Sequence, residues 1–284
     1  MNYVQLNTFA AALALIAVVQ ANSAFADDPP LSFGVVSQRS LQLTAQYWNP
    51  ILRYVTAKSG VRLELKLGRT GDVTSAMVGR GEFDIVYTNH NFTPGNDAIG
   101  YKVIARPMEP TIMGQIVVLG SSPIRSLAQL QGKDVVFPSK SAFVGYYVPM
   151  NALMRAGIEV RTQFAGNQEG AMGQLKAGRV NAAGVNSQVM RDFAERENFE
   201  YRVLWSSEGY LNIPISVHPA VPKQKATAVR DALVQMGNDP EGQKVLAESA
   251  ALVKQGPPFG FVKAEDAEYE NLRKFHRESL VKAE

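Results

Sequence analysis

Phe137-Pro-Ser-Lys-Ser-Ala-Phe-Val-Gly-Tyr-Tyr-Val-Pro149 joins a strand to a helix, and this junction decides how the rest of the chain is interpreted. A short apolar strand, 135–137, ends at a proline. Ser139 and Ser141 then precede an amphipathic helix predicted over 142–156. A helix start carries unpaired backbone N–H groups and the positive end of the helix dipole. Hydroxyl side chains there either cap the helix or help it to hold an oxyanion.

Strand and helix patterns alternate on both sides of this junction. Leu31 to Val36 predicts a first strand, 41–58 a long helix that Pro50 should kink or end, and 264–280 a final helix. This alternation is typical of α/β folds with largely parallel sheets, in which polar loops gather at the carboxyl edge and bind ligands. The candidate ligand loops are 37–40, 87–91, 139–143, 167–169 and 186–187.

The amino-terminal 26 residues contain no charged side chain. The apolar run from Phe9 to Val19 and the sequence Ala24-Phe25-Ala26 predict a cleavable signal peptide over residues 1–26. The alternative, an uncleaved helix, is disfavoured because Asp27-Asp28-Pro29-Pro30 follows directly. No later apolar stretch approaches the roughly 20 residues that span a bilayer. We therefore expect a protein that is exported to the periplasm.

The composition excludes several classes of protein. Residues 27–284 suffice for two lobes, and the absence of cysteine means that large buried cores, not disulfides, stabilise them. The formal net charge of +3 is too slight for a nucleic-acid partner. The three histidines, His90, His218 and His276, are not spaced as metal ligands, and no nucleophile motif occurs. We expect no metal, no cofactor and no catalytic residues.

The order of short motifs resembles one family over essentially the whole chain after residue 26. These motifs are Phe33-Gly34-Val35-Val36, Tyr47-Trp48-Asn49-Pro50, Gly81 to Tyr87, Leu127 to Lys133, Ser139-x-Ser141, Val148-Pro149 and Ala177 to Ala182. They resemble the PhnD-like phosphate, phosphite and phosphonate-binding proteins of ABC importers. The resemblance implies a bilobal type II periplasmic-binding-protein fold, with two sheets flanked by helices. It places a two-segment hinge near 110–116 and 211–217, lobe 1 at 27–112 and 217–284, and lobe 2 at 113–216.

The same resemblance implies which residues contact the ligand. Tyr87 matches a tyrosine at a strand end of lobe 1, and Ser139 and Ser141 match the hydroxyl-rich loop that grips the oxyanion. Gln168 stands where phosphonate binders have a histidine, and Asn186 stands where an acid can pair with an ammonium group. An aminoalkyl phosphonate is therefore less favoured than a simpler oxyanion. The candidate ligand-binding residues are Ser37, Arg39, Tyr87, Ser139, Ser141, Ala142, Phe143, Gln168 and Asn186.

Each candidate also has a purely structural interpretation. The two serines are typical N-caps, Tyr87 fits a buried strand, and Arg39 fits an exposed loop. Gln168 and Asn186 can simply close turns. His90 is predicted to lie in a surface loop, and Lys140 to point to solvent.

Together these features predict an exported solute-binding protein, a monomer without cofactors, that captures a small oxyanion and delivers it to an ABC permease. One alternative is a ligand-sensing periplasmic protein that presents its closed form to a membrane histidine kinase. A less favoured alternative is an exported enzyme on the same fold, because acid/base and metal signatures are lacking.

Overall fold

The computed structural model describes residues 29–109 and 111–282, which form a six-stranded sheet, a five-stranded sheet and a two-stranded ribbon. We call the six-stranded sheet sheet 1 and the five-stranded sheet sheet 2. The predicted signal peptide, residues 1–26, lies outside the described residues, as does Pro110 of the predicted hinge. In the described ranges no helix has the length and apolar character needed to cross a membrane.

The strands follow the predicted alternation closely. In chain order they are β1 Leu31–Val35, β2 Leu63–Leu67, β3 Ile85–Tyr87, β4 Lys102–Pro107, β5 Thr111–Ile112, β6 Gly114–Leu119, β7 Asp134–Phe137, β8 Arg161–Phe164, β9 Ala182–Asn186, β10 Tyr201–Ser206, β11 Tyr210–Leu211, β12 Ile215–Val217 and β13 Phe261–Lys263.

The α-helices are α1 Leu41–Ser59, α2 Gly71–Gly79, α3 Pro94–Asp97, α4 Val148–Arg155, α5 Gln168–Lys176, α6 Ser187–Arg196, α7 Lys223–Gln235, α8 Pro240–Val253 and α9 Glu270–Glu278. Single turns of 3₁₀ helix occur at His90–Phe92, Leu127–Leu130, Met236–Asn238 and Asp266–Tyr269, and a π-helical turn occurs at Phe143–Tyr147. Pro50 does not end α1, because the helix continues to Ser59 and stops at Gly60, which has φ of 70°.

Each sheet contains both parallel and antiparallel strand pairs. Sheet 1 has the order β13-β4-β12-β3-β1-β2, and sheet 2 has the order β10-β6-β9-β7-β8. β1 is parallel to β2 and β3, and β7 is parallel to β8 and β9, because helices connect these strands. The pairs made by β4, β6, β10, β12 and β13 are antiparallel. The predicted largely parallel sheets are thus correct only for the helix-connected strands.

The chain crosses from sheet 1 to sheet 2 after β4 and returns after β10. Between the sheets, β5 and β11 pair antiparallel, with Ile112 opposite Tyr210 and Thr111 opposite Leu211. Two crossing segments side by side form the two-segment hinge that the resemblance implied. The lobe boundaries at residues 112 and 217 stay a prediction.

Sheet 2 has a hydrophobic core on each of its two faces. Ile116 and Val118 of β6 pack into one core, with Val135 and Phe137 of β7. The alternate residues, including Val117, pack into the other core, under α5 and α6. Because both faces are buried, the register of the strands is fixed, and so is the position of each loop at their carboxyl ends.

The helix predicted over 142–156 begins with the wide turn Phe143–Tyr147 and only then becomes α4. Pro149 lies in the first turn of α4 and has no N–H to donate to the carbonyl of Gly145. The ordinary α-helical bond is therefore missing at this point. Instead, Val148 N–H donates to the carbonyl oxygen of Phe143, five residues earlier, which is the π-helical spacing.

The carboxyl-terminal helix α9 contacts both halves of the molecule, beginning with the elements that follow β3. Arg273 lies 2.9 Å from Asp97 of α3 and over the ring of Phe92, 4.9 Å from its centroid. The single helix predicted over 264–280 is replaced by a 3₁₀ turn followed by α9, and β13 just before it was not predicted.

On its other side, α9 packs against the wide turn Phe143–Tyr147 that precedes α4. The ring of Phe143 lies 5.2 Å from Phe275 and 5.4 Å from His276, between centroids. After the helix, Leu280 N–H donates to Asn151 Oδ1 at 2.9 Å. The end of the chain is thereby attached to the half of the molecule that contains sheet 2.

Candidate functional site

A small cavity lies where strand ends of the two sheets face each other. We call it the central cavity; its volume is about 30 Å³, and its lining includes Ser37, His90, Ser139, Phe143, Gln168 and Asn186. A single buried water needs about 10 to 15 Å³. The central cavity therefore has room for a small ligand but not for a bulky one.

Four helices begin at the central cavity. α2 begins at Gly71, the wide turn at Phe143, α5 at Gln168, and α6 directly after its cap Asn186. Each follows a strand, namely β2, β7, β8 and β9 in turn. The first N–H groups of a helix lack partners within it and together carry roughly half a positive charge. The backbone therefore makes the cavity electropositive.

Side-chain amides fix two of these helix starts. Asn186 Oδ1 accepts from the N–H of Gln188 at 2.9 Å, and Gln168 Oε1 accepts from the N–H of Asn186 at 3.2 Å. Both side-chain oxygens are therefore committed to backbone donors. The groups that these two amides can still offer are NH₂ donors.

The remaining polar lining is uncharged. Ser37 Oγ lies 3.0 Å from the carbonyl oxygen of Gly68, and the hydroxyls of Ser139 and Ser141 lie 3.1 Å apart. None of the described residues that line the central cavity is Asp, Glu, Lys or Arg. Within 29–109 and 111–282, no three His, Asp or Glu side chains are grouped as a metal site would require.

Three backbone donors join the two halves of the molecule around the cavity. Gly71 N–H donates to the carbonyl oxygen of Gly166 at 2.9 Å, and Glu169 N–H donates to that of Gln38 at 3.0 Å. The third donor, Ser141 N–H, bonds Asp72 Oδ1 at 3.0 Å. These contacts hold the halves together in a closed arrangement. The Asp72 carboxylate thus accepts a hydrogen bond from one of the backbone N–H groups at the predicted anion-binding loop.

The structure brings six of the nine candidate residues together around the central cavity. They are Ser37, Ser139, Ala142, Phe143, Gln168 and Asn186. Arg39 and Tyr87 line a neighbouring cavity beside Trp48, whose ring lies 4.9 Å from that of Tyr87. Ser141 lines a third, open cavity of about 530 Å³, together with Lys140. Burial raises the pKa of Tyr87 above its usual value, so its hydroxyl is a neutral donor.

Gln38, Gly71, Asn89 and His90 also line the central cavity but are absent from the nine candidates. Three of them, Gln38, Asn89 and His90, lie in the predicted ligand loops 37–40 and 87–91. The prediction of a surface position for His90 is wrong, because its side chain is 1 % exposed. The polar run Thr88-Asn89-His90-Asn91 has the composition of a surface loop, yet it is covered where the two halves meet. A signal did exist for Gly71, because it directly follows the capping Thr70 at the start of a helix.

The ion pair between Arg39 and Asp192 joins the halves beside the neighbouring cavity. Arg39 Nη2 lies 3.5 Å from Asp192 Oδ2, and the Asp192 side chain is 2 % exposed. Burial raises the pKa of Asp192 to about 6, although Arg39 and Arg191 act in the opposite direction. The ion pair therefore only partly compensates the loss of water around this carboxylate.

We expect the Asp192→Asn variant to gain stability relative to wild type as the pH rises. A carboxyl whose pKa is raised by folding binds its proton more tightly in the folded state, so wild type loses stability between pH 4 and pH 6. The gain from pH 4 to pH 7 should be of order 2 kcal/mol. Urea unfolding at both pH values measures it, with the exposed Asp231→Asn as control. The same difference at both pH values would contradict the prediction.

Comparison with known protein families gives a match over most of the chain. Residues 33–269 match the family model of the ABC-transporter phosphonate periplasmic substrate-binding protein. A comparison with curated protein sequences gives no match.

Solved structures with the same fold share little sequence with this chain. PhnD1 from Prochlorococcus marinus, in complex with methylphosphonate, has a TM-score of 0.72 at 15 % identity, over 87 % of this chain and 97 % of its own. A binding-protein component of an ABC phosphonate transporter from Pseudomonas aeruginosa has a TM-score of 0.72 at 18 % identity, over 88 % and 86 %. A Xanthomonas citri protein bound to ATP has a TM-score of 0.67 at 17 % identity, over 87 % and 96 %.

Proposed function

The chain belongs to the periplasmic substrate-binding proteins of phosphonate ABC transporters, and we propose that it captures a small oxyanion of the phosphate, phosphite or phosphonate class in the central cavity. The family consists of transport proteins rather than enzymes, in agreement with the expectation from the sequence. Delivery is to an ABC permease. We further propose that residues 1–26 direct export and that the protein works as a monomer.

One observation carries this proposal: four helices begin at a cavity whose described lining contains no charged side chain. The helix starts supply the positive potential, so an anion can be buried without a lysine or arginine beside it. The hydroxyl of Ser139 and the NH₂ groups of Gln168 and Asn186 supply neutral donors. A cation would find neither a carboxylate nor a favourable potential in this cavity.

The same lining limits the organic part of the ligand. An aminoalkyl phosphonate would bury an ammonium group, which needs a carboxylate partner. Gln168 and Asn186 stand where such a partner could lie, and both are neutral. The volume of about 30 Å³ also favours a substituent as small as a hydrogen or a methyl group.

Capture is coupled to closure of the two halves. The lining comes from both halves, because Ser37, Gly71 and His90 lie in one half and Ser139, Gln168 and Asn186 lie in the other. The ligand therefore meets the whole lining only in the closed arrangement that the Gly71, Glu169 and Ser141 amides help to hold. A ligand that binds the closed form better than the open form shifts the population toward it. The hinge formed by β5 and β11 is the place for this motion.

Thermal unfolding of residues 27–284 with a panel of anions tests the proposal. The panel is phosphate, phosphite, methylphosphonate, aminoethylphosphonate, sulfate and arsenate. A ligand that binds only the folded state stabilises it by about 2.7 kcal/mol at one hundred times its dissociation constant. We expect the largest shift with phosphite or methylphosphonate and little with aminoethylphosphonate. If no anion of the panel at millimolar concentration raises the unfolding temperature, oxyanion capture is wrong.

We expect Ser139→Ala combined with Ser141→Ala to weaken binding of the ligand that the panel identifies by roughly tenfold or more, since a hydrogen bond to an anion contributes about 1.5 to 3 kcal/mol. Calorimetric titration measures the change. Ser121→Ala, an exposed serine beyond the far end of β6, serves as the control. Unchanged affinity in the double variant would remove the serine loop from the site.

A further inference from the structure

His90 is a buried imidazole that lines the central cavity. The proposed capture of an anion by helix starts assigns no role to it. His90 opens the 3₁₀ turn after β3 and is 1 % exposed. Its Nδ1 is fully buried and has no hydrogen-bond partner among the described residues. A buried polar nitrogen without a partner is costly, so a bound ligand that pairs with it would gain affinity.

The cavity is rich in donors and poor in acceptors. The side-chain oxygens of Gln168 and Asn186 are already taken by backbone N–H groups. The hydroxyls of Ser139 and Ser141 pair with each other. The positive ends of four helix dipoles also lie at the cavity. Among the described lining residues, His90 alone has a fully buried side-chain polar atom without a partner, and a neutral imidazole nitrogen can accept a hydrogen from the ligand.

The charges around the cavity also favour one negative charge on the ligand rather than two. No lysine or arginine belongs to the described lining. The carboxylate of Asp72, on α2, accepts a hydrogen bond from the N–H of Ser141, in the loop that brings Ser139 to the cavity. A second negative charge on the ligand would be buried without a cation and would meet this carboxylate.

We propose that the central cavity takes its oxyanion as a monoanion that still carries an acidic hydrogen, and that His90 accepts this hydrogen. The inference rests on the proposed function and names the protonation state that the same site selects. His90 is thus a specificity-determining residue, because an oxyanion without such a hydrogen leaves its nitrogen unpaired.

The surroundings of His90 keep it neutral, as an acceptor must be. Burial lowers its pKa to about 4; Asp72 on α2 acts in the opposite direction, and His276 on α9 adds to the lowering. On the other helices that pack against this turn, Asp97 of α3 and Arg273 of α9 pair with each other at 2.9 Å. His90 therefore remains an uncharged imidazole across the neutral range.

The first test is calorimetric titration of wild type with methylphosphonate, and separately with inorganic phosphate, between pH 5.5 and pH 9. Above the second pKa of each probe the hydrogen-bearing monoanion falls about tenfold for each pH unit, and the apparent Kd should rise by the same factor. A Kd that stays constant or falls through that pKa overturns the proposal.

The second test replaces the acceptor. His90→Phe cannot accept a hydrogen bond, and we expect it to weaken methylphosphonate binding at pH 6 by roughly 10- to 100-fold. His90→Gln keeps an acceptor oxygen and should stay within about tenfold of wild type. The control is His218→Gln, a histidine outside the lining, with unchanged affinity. Equal losses in the Phe and Gln variants would indicate a packing role only and overturn the proposal.

A third measurement does not depend on whether the variants fold. In wild type labelled with ¹⁵N-histidine, saturation with methylphosphonate should shift the ring nitrogen signals of His90 but not those of His218. The His218→Gln and His276→Gln variants assign the three histidines by elimination. Unshifted His90 signals overturn the proposal. If no anion of the panel binds at any pH, the proposed function fails as well, whereas binding that strengthens with rising pH refutes only the protonation state assigned here.

Discussion

Gly71→Ala is expected to weaken oxyanion binding by roughly 10- to 100-fold while leaving the free energy of unfolding of each half nearly unchanged. A Cβ at Gly71 would lie 2.3 Å from Ser139 Oγ and 2.9 Å from Ser139 Cβ, both too close for any real contact. These two residues belong to opposite halves, so the added methyl opposes closure of the halves rather than folding. Calorimetric titration with the ligand identified by the anion panel, together with urea unfolding, separates these two effects.

Gly173→Ala is the matched control for this prediction. Gly173 lies within α5, and a Cβ there would meet no atom within 4 Å. Alanine in a helix interior is more favourable than glycine by about 0.5 to 1 kcal/mol. This variant should therefore unfold at a slightly higher urea concentration and bind the ligand with the affinity of wild type. Normal binding by Gly71→Ala would mean that the closed arrangement around Ser139 is not the state that holds the ligand.

Gly184→Ala is expected to have the largest effect on stability, a loss of about 3 kcal/mol in the free energy of unfolding. Gly184 lies in β9, opposite Ile116 of β6, in the interior of sheet 2. A Cβ there would lie 2.4 Å from Cδ1 of Phe137 and 2.7 Å from the carbonyl oxygen of Gly145. The strand is held on both sides by its neighbours, so it cannot move away cheaply. Urea unfolding measures the loss.

A double-mutant cycle with Phe137→Leu checks that this loss comes from the contact with the ring. Leucine removes part of the ring that the new methyl would strike, so the double variant should lose less stability than the sum of the two single variants. Simple additivity would show that the carbonyl of Gly145, or another contact, is responsible. Gly173→Ala again serves as the control for the glycine-to-alanine change itself.

The sequence could predict which loops meet because that depends on strand direction alone. β2, β7, β8 and β9 each lead into a helix, and the three of these in sheet 2 are parallel to one another. Ser139, Gln168 and Asn186 therefore had to lie at one edge. The regular 3.6-residue period likewise placed α1, predicted over 41–58, within one residue of its observed ends.

The sequence could not predict which side of a loop faces which cavity. Ser139 and Ser141 are two residues apart, yet the first lines the central cavity and the second lines the open one. Tyr87 packs on Trp48 in the neighbouring cavity, because α1 lies against the end of its strand. His90 is buried by elements that are distant in sequence, including α9. Such assignments depend on tertiary packing, which no local pattern encodes.

Short elements were missed for a related reason. β5, β11 and β13 contain two or three residues each, too few for a period to be recognised. Their pairing partners lie about a hundred residues or more away along the chain. The wide turn before α4 depends on Pro149 together with the close packing of Gly145 on sheet 2, a combination that the amphipathic pattern of the helix conceals.

The attachment of the carboxyl terminus to Asn151 changes the mechanics of the molecule. Two crossing segments alone would leave the halves free both to swing and to twist about the ribbon of β5 and β11. Asn151 lies about two helical turns beyond Phe143, so Leu280 provides a third tether outside the ribbon. A hydrogen bond that lies away from the ribbon opposes the twist of one half against the other. Residues 279–281 reach at most roughly 10 Å when extended, so opening beyond that reach requires their hydrogen bonds to Asn151 to break.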